Sequence, residues 1–326
     1  MKVPDIIKSC EKRIVFLKDP VKKQYTAFRL VHGASDKCPG LSIDYYAGYL
    51  VINQYQGTIR PLIPEIVQQL NSSGFKISGV YLKDRSLNQH GTYGEQSEAS
   101  VYGLNATSPL LVQEARIQAE VYLGDGISTG IFMDQRNNRS ALIDLAKSGN
   151  VKSLLNGFAY TSLFTVALGI AVPNLSSVSV DLSKRSIERS RSNFLLNQLN
   201  ENQHSLVAGD FLDSVRLFQK RGRRFDMIIL DPPTMARNKK GKLGFSVKSH
   251  AGEMAEQVMQ LLNPQGILFF SVNTESLTQK QFENLVMTPL VRQNTACLLP
   301  MPGQAEDYPS SPQFPAHLKV IAIQKS

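Results

Sequence analysis

The stretch from Val151 to Asp181 reads Val-Lys-Ser-Leu-Leu-Asn-Gly-Phe-Ala-Tyr-Thr-Ser-Leu-Phe-Thr-Val-Ala-Leu-Gly-Ile-Ala-Val-Pro-Asn-Leu-Ser-Ser-Val-Ser-Val-Asp. Its order is strand, loop, helix, strand, acid. Ser153 to Leu155 is a short apolar run with no room for a helix, so it reads as a buried strand. Asn156 to Ser162 is small and polar, as a loop passing beneath a ligand should be. Leu163 to Ile170 is apolar on nearly every side, which suits a helix packed into a sheet face. Val178 to Val180 is the next strand, with Asp181 at its carboxyl end. Open α/β sheets bind ligands outside those ends. An acid roughly twenty residues past the loop is placed for two ribose hydroxyls. The same pattern also describes a βαβ unit that binds nothing.

The kind of nucleoside follows from the glycines. A dinucleotide loop needs several so that backbone can approach a pyrophosphate, and here only Gly157 precedes the helix. A nicotinamide dehydrogenase is therefore disfavoured. S-adenosylmethionine has a ribose and no phosphate, and it tolerates a bulkier loop.

Outward from this unit, 326 residues allow two domains, and 42% hydrophobic content can fill both cores. No apolar run approaches the ~18 residues of a membrane helix. Pro4 and Asp5 stand where a signal peptide needs an apolar core. Cys10, Cys38 and Cys297 are scattered, as are the five histidines. This suggests a reducing compartment, the cytoplasm, and no metal site. The net charge of +9 suits a polyanionic partner, most simply nucleic acid, or a merely basic soluble protein.

Residues 1–124 read as a small α+β domain. A Lys-rich helical start is followed by strands near Tyr25–Val31, Leu41–Asp44 and Tyr49–Asn53, a helix over Arg60–Leu70 and a strand at Gly79–Leu82. Two further strands, Leu110–Val112 and Ala119–Leu123, are expected to close it. Gly124 to Arg139 is a crossover, with Asp134, Gln135 and Arg136 starting a helix. Residues 125–326 then alternate strands and helices, which implies a mostly parallel sheet. Residues 236–249 read as a basic loop, a helix follows over about 251–262, and Cys297–Leu298 and Leu318–Ile323 as a closing antiparallel pair.

Four strand ends carry polar residues: Asn156 with Phe158, Asp181, Asp210 with Phe211, and Asp231 with two prolines. An unpaired carboxylate beside a core is costly, so packing explains this badly. Asp181 can hold ribose hydroxyls. Asp210 can accept from an adenine amino group, with Phe211 covering the ring. Asp231-Pro232-Pro233-Thr234 forms a stiff loop, since proline locks φ and lacks an amide hydrogen.

These pieces, with Phe28-Arg29-Leu30, Pro39 to Asp44, Thr129 to Arg136, Leu155 to Thr161, Val180 to Ser183 and His317-Leu318-Lys319, resemble one family in order and type. The chain is similar to class I methyltransferases that modify 23S ribosomal RNA at cytosine C5 or guanine N7. The resemblance runs from about residue 25 to the C-terminus; the family's N-terminal PUA domain is expected to be missing. It implies a Rossmann-like class I methyltransferase domain with a mostly parallel seven-stranded sheet, preceded by the small α+β domain. It implies S-adenosyl-L-methionine held by Arg136, Asn156, Phe158, Tyr160, Thr161, Asp181, Ser183, Asp210, Phe211 and Asp231. Catalysis is expected of Asp231, Pro232, Pro233 and Thr234, and the partner is RNA, probed by a monomer or homodimer.

Three departures qualify this. Ser162 replaces the family's usual glycine and could crowd the methionine end of the cofactor. Met235 follows Thr234 where guanine-modifying relatives have an aromatic residue. Cytosine C5 needs a thiolate to add at C6, and the segment where those relatives carry cysteine reads Ser271-Val272-Asn273 here. Cys297 reads as a buried structural residue. Guanine N7 has its own lone pair and needs only alignment. RNA is expected across Arg136, Arg139, Arg221, Arg223, Arg224, Arg237, Lys239, Lys240 and Lys242. The other reading is a catalytically weak relative that binds RNA as a module or assembly factor. The target nucleotide and atom stay open.

Overall fold

The computed structural model describes residues 2–20, 22–86, 99–126, 128–237, 243–291 and 296–326. Contacts divide the chain into two compact units: 1–134 with 305–314, and 135–304 with 315–326.

The first unit opens with α1 (Val3–Glu11) and the single turn α2 (Val15–Lys18), followed by β1 (Ala27–His32), β2 (Leu41–Tyr46) and β3 (Tyr49–Gln54). After these come α3 (Ile63–Ser72), β4 (Gly79–Asp84) and β5 (Tyr102–Gly103). The five strands form one sheet in chain order, antiparallel except where β4 lies parallel to β3. Alternate residues Phe28, Leu30, Ile43, Leu50, Ile52, Val80 and Leu82 bury against α1 and α3. Period-two patterning makes one such face per strand.

β6 (Leu110–Glu114) and β7 (Ile117–Val121) do not close this sheet as expected. They form a separate hairpin, tied to the chain before β1 by Thr26 N–H donating to Gln113 O at 2.9 Å. The place beside β4 is taken by β5, a pair of residues too short to show any alternation. Residues 305–314 also belong to this unit. Asp307 Oδ2 accepts from Arg29 N–H at 2.7 Å, and the Arg29 guanidinium lies 4.3 Å from the Tyr308 ring centroid.

The second unit comprises α4 (Arg136–Ser148), β8 (Ser153–Gly157), α5 (Leu163–Ala171), β9 (Ser176–Asp181), α6 (Lys184–Leu196), β10 (His204–Ala208), α7 (Phe211–Lys220) and β11 (Phe225–Leu230). It continues with β12 (Met235–Arg237), β13 (Leu243–Ser246), α8 (Val247–Met259), β14 (Leu262–Asn273), α9 (Gln279–Val291), β15 (Ala296–Leu299) and β16 (Leu318–Lys325). The seven-stranded sheet has the order β10-β9-β8-β11-β14-β16-β15. The first five are parallel; β16 runs antiparallel to β14 and β15 antiparallel to β16.

Both faces are apolar, as a sheet covered by helices requires. Leu154, Met227, Ile229 and Phe269 pack toward α4 and α5; Leu155, Ile228, Leu230 and Phe270 pack toward α7, α8 and α9. Each such buried side chain stabilises by about 1.5–3 kcal/mol, more than the ~1 kcal/mol net of a single hydrogen bond, so packing sets the strand register. The described part of 236–249 is not a plain loop: β12 and β13 pair antiparallel and α8 starts at Val247. The Lys-rich polarity of that stretch hid its pairing.

Strand order reverses between β8 and β11, since β9 continues on one side and β14 on the other. That switch point opens a crevice outside the carboxyl ends of both strands.

Candidate active site

The loop from Phe158 to Ser162 leaves β8 at that crevice. Phe158, Tyr160 and Ser162 have φ of 57°, 50° and 59°. Left-handed backbone costs a residue with a Cβ about 1–2 kcal/mol, and such clusters persist where surroundings over-determine them. Here the surroundings are β9 and α6. Ala159 N–H donates to Val180 O at 3.0 Å, and Tyr160 N–H to Asp181 Oδ2 at 2.8 Å. Asn193 Nδ2 donates to Thr161 O at 3.0 Å and Ser190 Oγ to Tyr160 O at 3.0 Å. Ser186, Ser190 and Asn193 recur at helical spacing on the buried face of α6, beside Ile187 and Phe194, and that spacing is the signal the sequence offers for them.

Ser162, the residue standing where the family has glycine, turns its hydroxyl onto Ser190 Oγ at 2.8 Å and is fully buried. The hydroxyl is thus engaged in a hydrogen bond into α6. Gly157 is required for a different reason. A Cβ there would lie 2.3 Å from the Phe211 ring.

Asp181 is half-buried at the end of β9. Its two oxygens accept from the amides of Tyr160 and Ser183, the latter at 2.9 Å. Burial raises its pKa above the ordinary carboxylate value, and the two amides oppose that rise. Ser183 caps α6 by accepting from Ser186 N–H at 3.1 Å, and Asp210 caps α7 by accepting from Asp213 N–H at 3.0 Å. Both are exposed cap residues of the type helices favour. Phe211 is 3% exposed, with its ring 5.0 Å from that of Phe158; the more exposed ring of the pair is Phe158. Asn156 is buried and donates to Thr165 Oγ1 at 3.0 Å, which meets Ser179 Oγ at 2.8 Å. It therefore ties β8, α5 and β9 together.

Asp231 follows β11. Its Oδ1 accepts from Ser271 Oγ at 2.7 Å and Gln135 Nε2 at 3.3 Å. Gln135 Nε2 also donates to Ser271 Oγ at 3.0 Å, and Asn138 Nδ2 to Gln135 Oε1 at 2.7 Å. Gln135, Asn138 and Ser271 are all buried, so the carboxylate is held by a dry polar chain. Gln135 and Ser271 lay inside quoted motifs but carried no expected role. Pro232 is buried and Pro233 exposed; Thr234 donates its hydroxyl to Asn273 O, joining the β11 and β14 ends.

The thiols lie elsewhere. Val272 is fully buried in the sheet core. Cys10 and Cys38 are buried in the first unit. Burial pushes the Cys10 thiol far up and that of Cys38 to about 11, so neither ionises near neutrality. Cys297 was expected to be buried and is exposed, because β15 is the edge strand. Among the described residues no three His, Cys, Asp or Glu side chains could hold a metal ion, and no helix is long and apolar enough to cross a membrane.

Of the expected RNA-facing residues, Arg221, Arg223 and Arg224 are exposed. Arg136 and Arg139 are instead buried at the start of α4, Arg139 over the Phe164 ring at 5.7 Å. Their place in an amphipathic helix turned them inward. Lys239, Lys240 and Lys242 lie outside the described residues.

Residues 30–293 match the family model of S-adenosylmethionine-dependent methyltransferases. YwbD of Bacillus subtilis (strain 168), named provisionally as a ribosomal RNA large subunit methyltransferase, is 32% identical over 303 residues, 92% of this chain and 75% of its own. Ribosomal RNA large subunit methyltransferase I of Aeromonas hydrophila is 30% identical over 310 residues, 93% and 76% of the two chains. A solved structure from Streptococcus mutans, named provisionally as a SAM-dependent methyltransferase, superposes with a TM-score of 0.84 at 28% identity, covering 99% of this chain and 82% of that one. A second, SMU.776 in complex with SAH, gives 0.85 at 29% identity with the same coverage. With the sheet order, the switch-point loop and these matches agreeing, the chain belongs to the S-adenosylmethionine-dependent methyltransferase family.

Proposed function

We propose that this methyltransferase modifies a base of large-subunit ribosomal RNA, and does so without a cysteine nucleophile. The observation that carries the second half is Val272, sealed in the core at the strand end where cytosine-modifying relatives place a thiol. The first half rests on what the curated relatives are named for and on the chain's +9 charge.

S-adenosylmethionine supplies an electrophilic methyl group on its sulfonium. The residues present suit it. Each Asp181 oxygen accepts one backbone amide and, as an ionised carboxylate, has a further lone pair for a ribose hydroxyl. Gly157 leaves the β8 end without a Cβ, and the 158–162 backbone is held rigid by α6. We assign cofactor contact to Arg136, Asn156, Phe158, Tyr160, Thr161, Asp181, Ser183, Asp210, Phe211 and Asp231, with Asn156 and Phe211 acting through packing. Asp231-Pro232-Pro233-Thr234 positions the base, its carboxylate oriented by Gln135 and Ser271. A ring nitrogen with its own lone pair, such as guanine N7, then needs alignment and no covalent help. Residues 125–326 would carry methyl transfer and 1–124 RNA recognition, in the cytoplasm.

Mass spectrometry of ribosomal RNA nucleosides from cells with and without the gene tests this. Loss of one methylated base other than 5-methylcytidine is expected. Loss of 5-methylcytidine would overturn the cysteine argument. An unchanged nucleoside profile, together with no calorimetric binding of S-adenosylmethionine, would favour the RNA-binding module instead.

A further inference from the structure

At the amino ends of the sheet strands, away from the crevice, the second unit has a cleft of about 410 Å³ lined by Gln219, Gly222, Arg223, Arg224, Gln260 and Lys325. Arg223 and Arg224 immediately precede β11. Lys325 ends β16, which runs antiparallel to β14, so it too lies at that end. The six residues of β11 at ~3.3 Å each put the cleft about 20 Å from Asp231.

Two of its cations, Arg223 and Lys325, are held in place. The Arg223 guanidinium lies over Phe218 and Phe225, at 5.4 and 5.1 Å from the ring centroids. Stacking of this kind orders an arginine while leaving its N–H edge available. Lys325 Nζ donates to Met259 O at 2.9 Å and Leu262 O at 2.8 Å. Burial and the neighbouring Arg224 lower its pKa. Among the described residues no carboxylate pairs with Arg221, Arg223, Arg224 or Lys325. Like charges gathered without acids favour an anion, and the arginines of the 221–224 turn carry the charge beyond what one small anion needs.

We propose that this cleft is a second docking site for RNA, which grips the phosphodiester backbone while the base to be methylated sits at the opposite end of the sheet. The inference rests on the RNA reading above. Contacts to phosphate position an RNA without reading its sequence, so the cleft contributes affinity and register rather than base choice.

The test uses the full chain, Arg223→Ala/Arg224→Ala, and Arg221→Glu/Arg224→Glu, which spares the stacked Arg223. A labelled large-subunit ribosomal RNA fragment is titrated at several salt concentrations. Each double variant should lose about ten- to a hundredfold in affinity at low salt, and the slope of log K against log salt should fall by about 2. S-adenosylmethionine affinity by calorimetry should be unchanged. RNA affinity and salt slope equal to wild type in the charge-reversal variant would overturn the proposal. So would a mononucleotide that binds the cleft tightly without competing with RNA. A wild-type chain that binds no RNA would remove the underlying reading as well.

Discussion

Replacing Ser190 by alanine should be costly out of proportion to one hydroxyl. Ser190 Oγ accepts from Ser162 Oγ at 2.8 Å and lies 3.0 Å from both Tyr160 O and Ser186 O. Both serines are fully buried, so water cannot replace the lost partner. Leaving the Ser162 hydroxyl unsatisfied costs about 1–3 kcal/mol, and about 2 kcal/mol is expected. Ser162→Gly alone should be nearly neutral. It relieves about 1–2 kcal/mol of left-handed backbone at φ 59°, but gives up one hydrogen bond and adds unfolded-chain entropy, each about 1 kcal/mol. Combined with Ser190→Ala it should recover about 1–2 kcal/mol, because the orphaned hydroxyl goes with the strain. Calorimetry suits a chain without tryptophan. At ~2–4 °C per kcal/mol for a unit of this size, Ser190→Ala should lower the melting temperature by about 4–8 °C, with roughly half returned in the double variant. S-adenosylmethionine affinity should follow the same order. If the two changes simply add within about 0.5 kcal/mol, the hydroxyl pair does not hold this loop and the reasoning fails.

Four further outcomes are expected. Gly157→Ala should destabilise by about 2 kcal/mol through its 2.3 Å approach to Phe211, and Phe211→Leu in the same chain should restore part of it; an unchanged melting temperature would contradict the packing. Single Cys→Ala changes at 10, 38 and 297 should each leave methyl transfer intact, and maleimide at pH 7 should label Cys297 alone, as mass spectrometry would report. Lys83, buried and lowered to about 8 mainly by desolvation, binds fewer protons folded than unfolded between that value and ~10.4, so stability should rise with pH across this window. Lys83→Met should flatten that rise in pH-dependent melting, by about 3 kcal/mol at most. Because burial raises the Asp181 pKa and ribose hydroxyls favour its ionised form, cofactor affinity should decline with acid from a higher pH than an ordinary carboxylate would allow; Asp181→Asn should bind weakly without that decline in calorimetry.

The Val151–Asp181 stretch was enough to place the βαβ unit and its acid, because a strand buried on both faces and a helix buried all round leave runs that mean little else. A mostly parallel sheet followed from repetition of that pattern, and its seven strands were what the family resemblance implied. Other features had no local signature. β5 is two residues long and shows no period; β6 and β7 alternate correctly, but where a hairpin docks depends on a partner such as Thr26, distant in sequence. Residues 305–314 join the first unit through Asp307 and Tyr308, and nothing in their composition names Arg29 as the partner. At the site, residue types at strand ends were readable, but their division of labour was not. Whether an aspartate caps a helix, like Asp210, or bridges a strained loop, like Asp181, is decided by which amides reach it after folding. The same holds for Gln135 and Ser271, which meet Asp231 across 96 and 40 residues of chain, the Ser271 contact existing only because β11 and β14 lie side by side. Sequence sets local periodicity and chemistry, whereas direction, burial and partnership are properties of the packed chain.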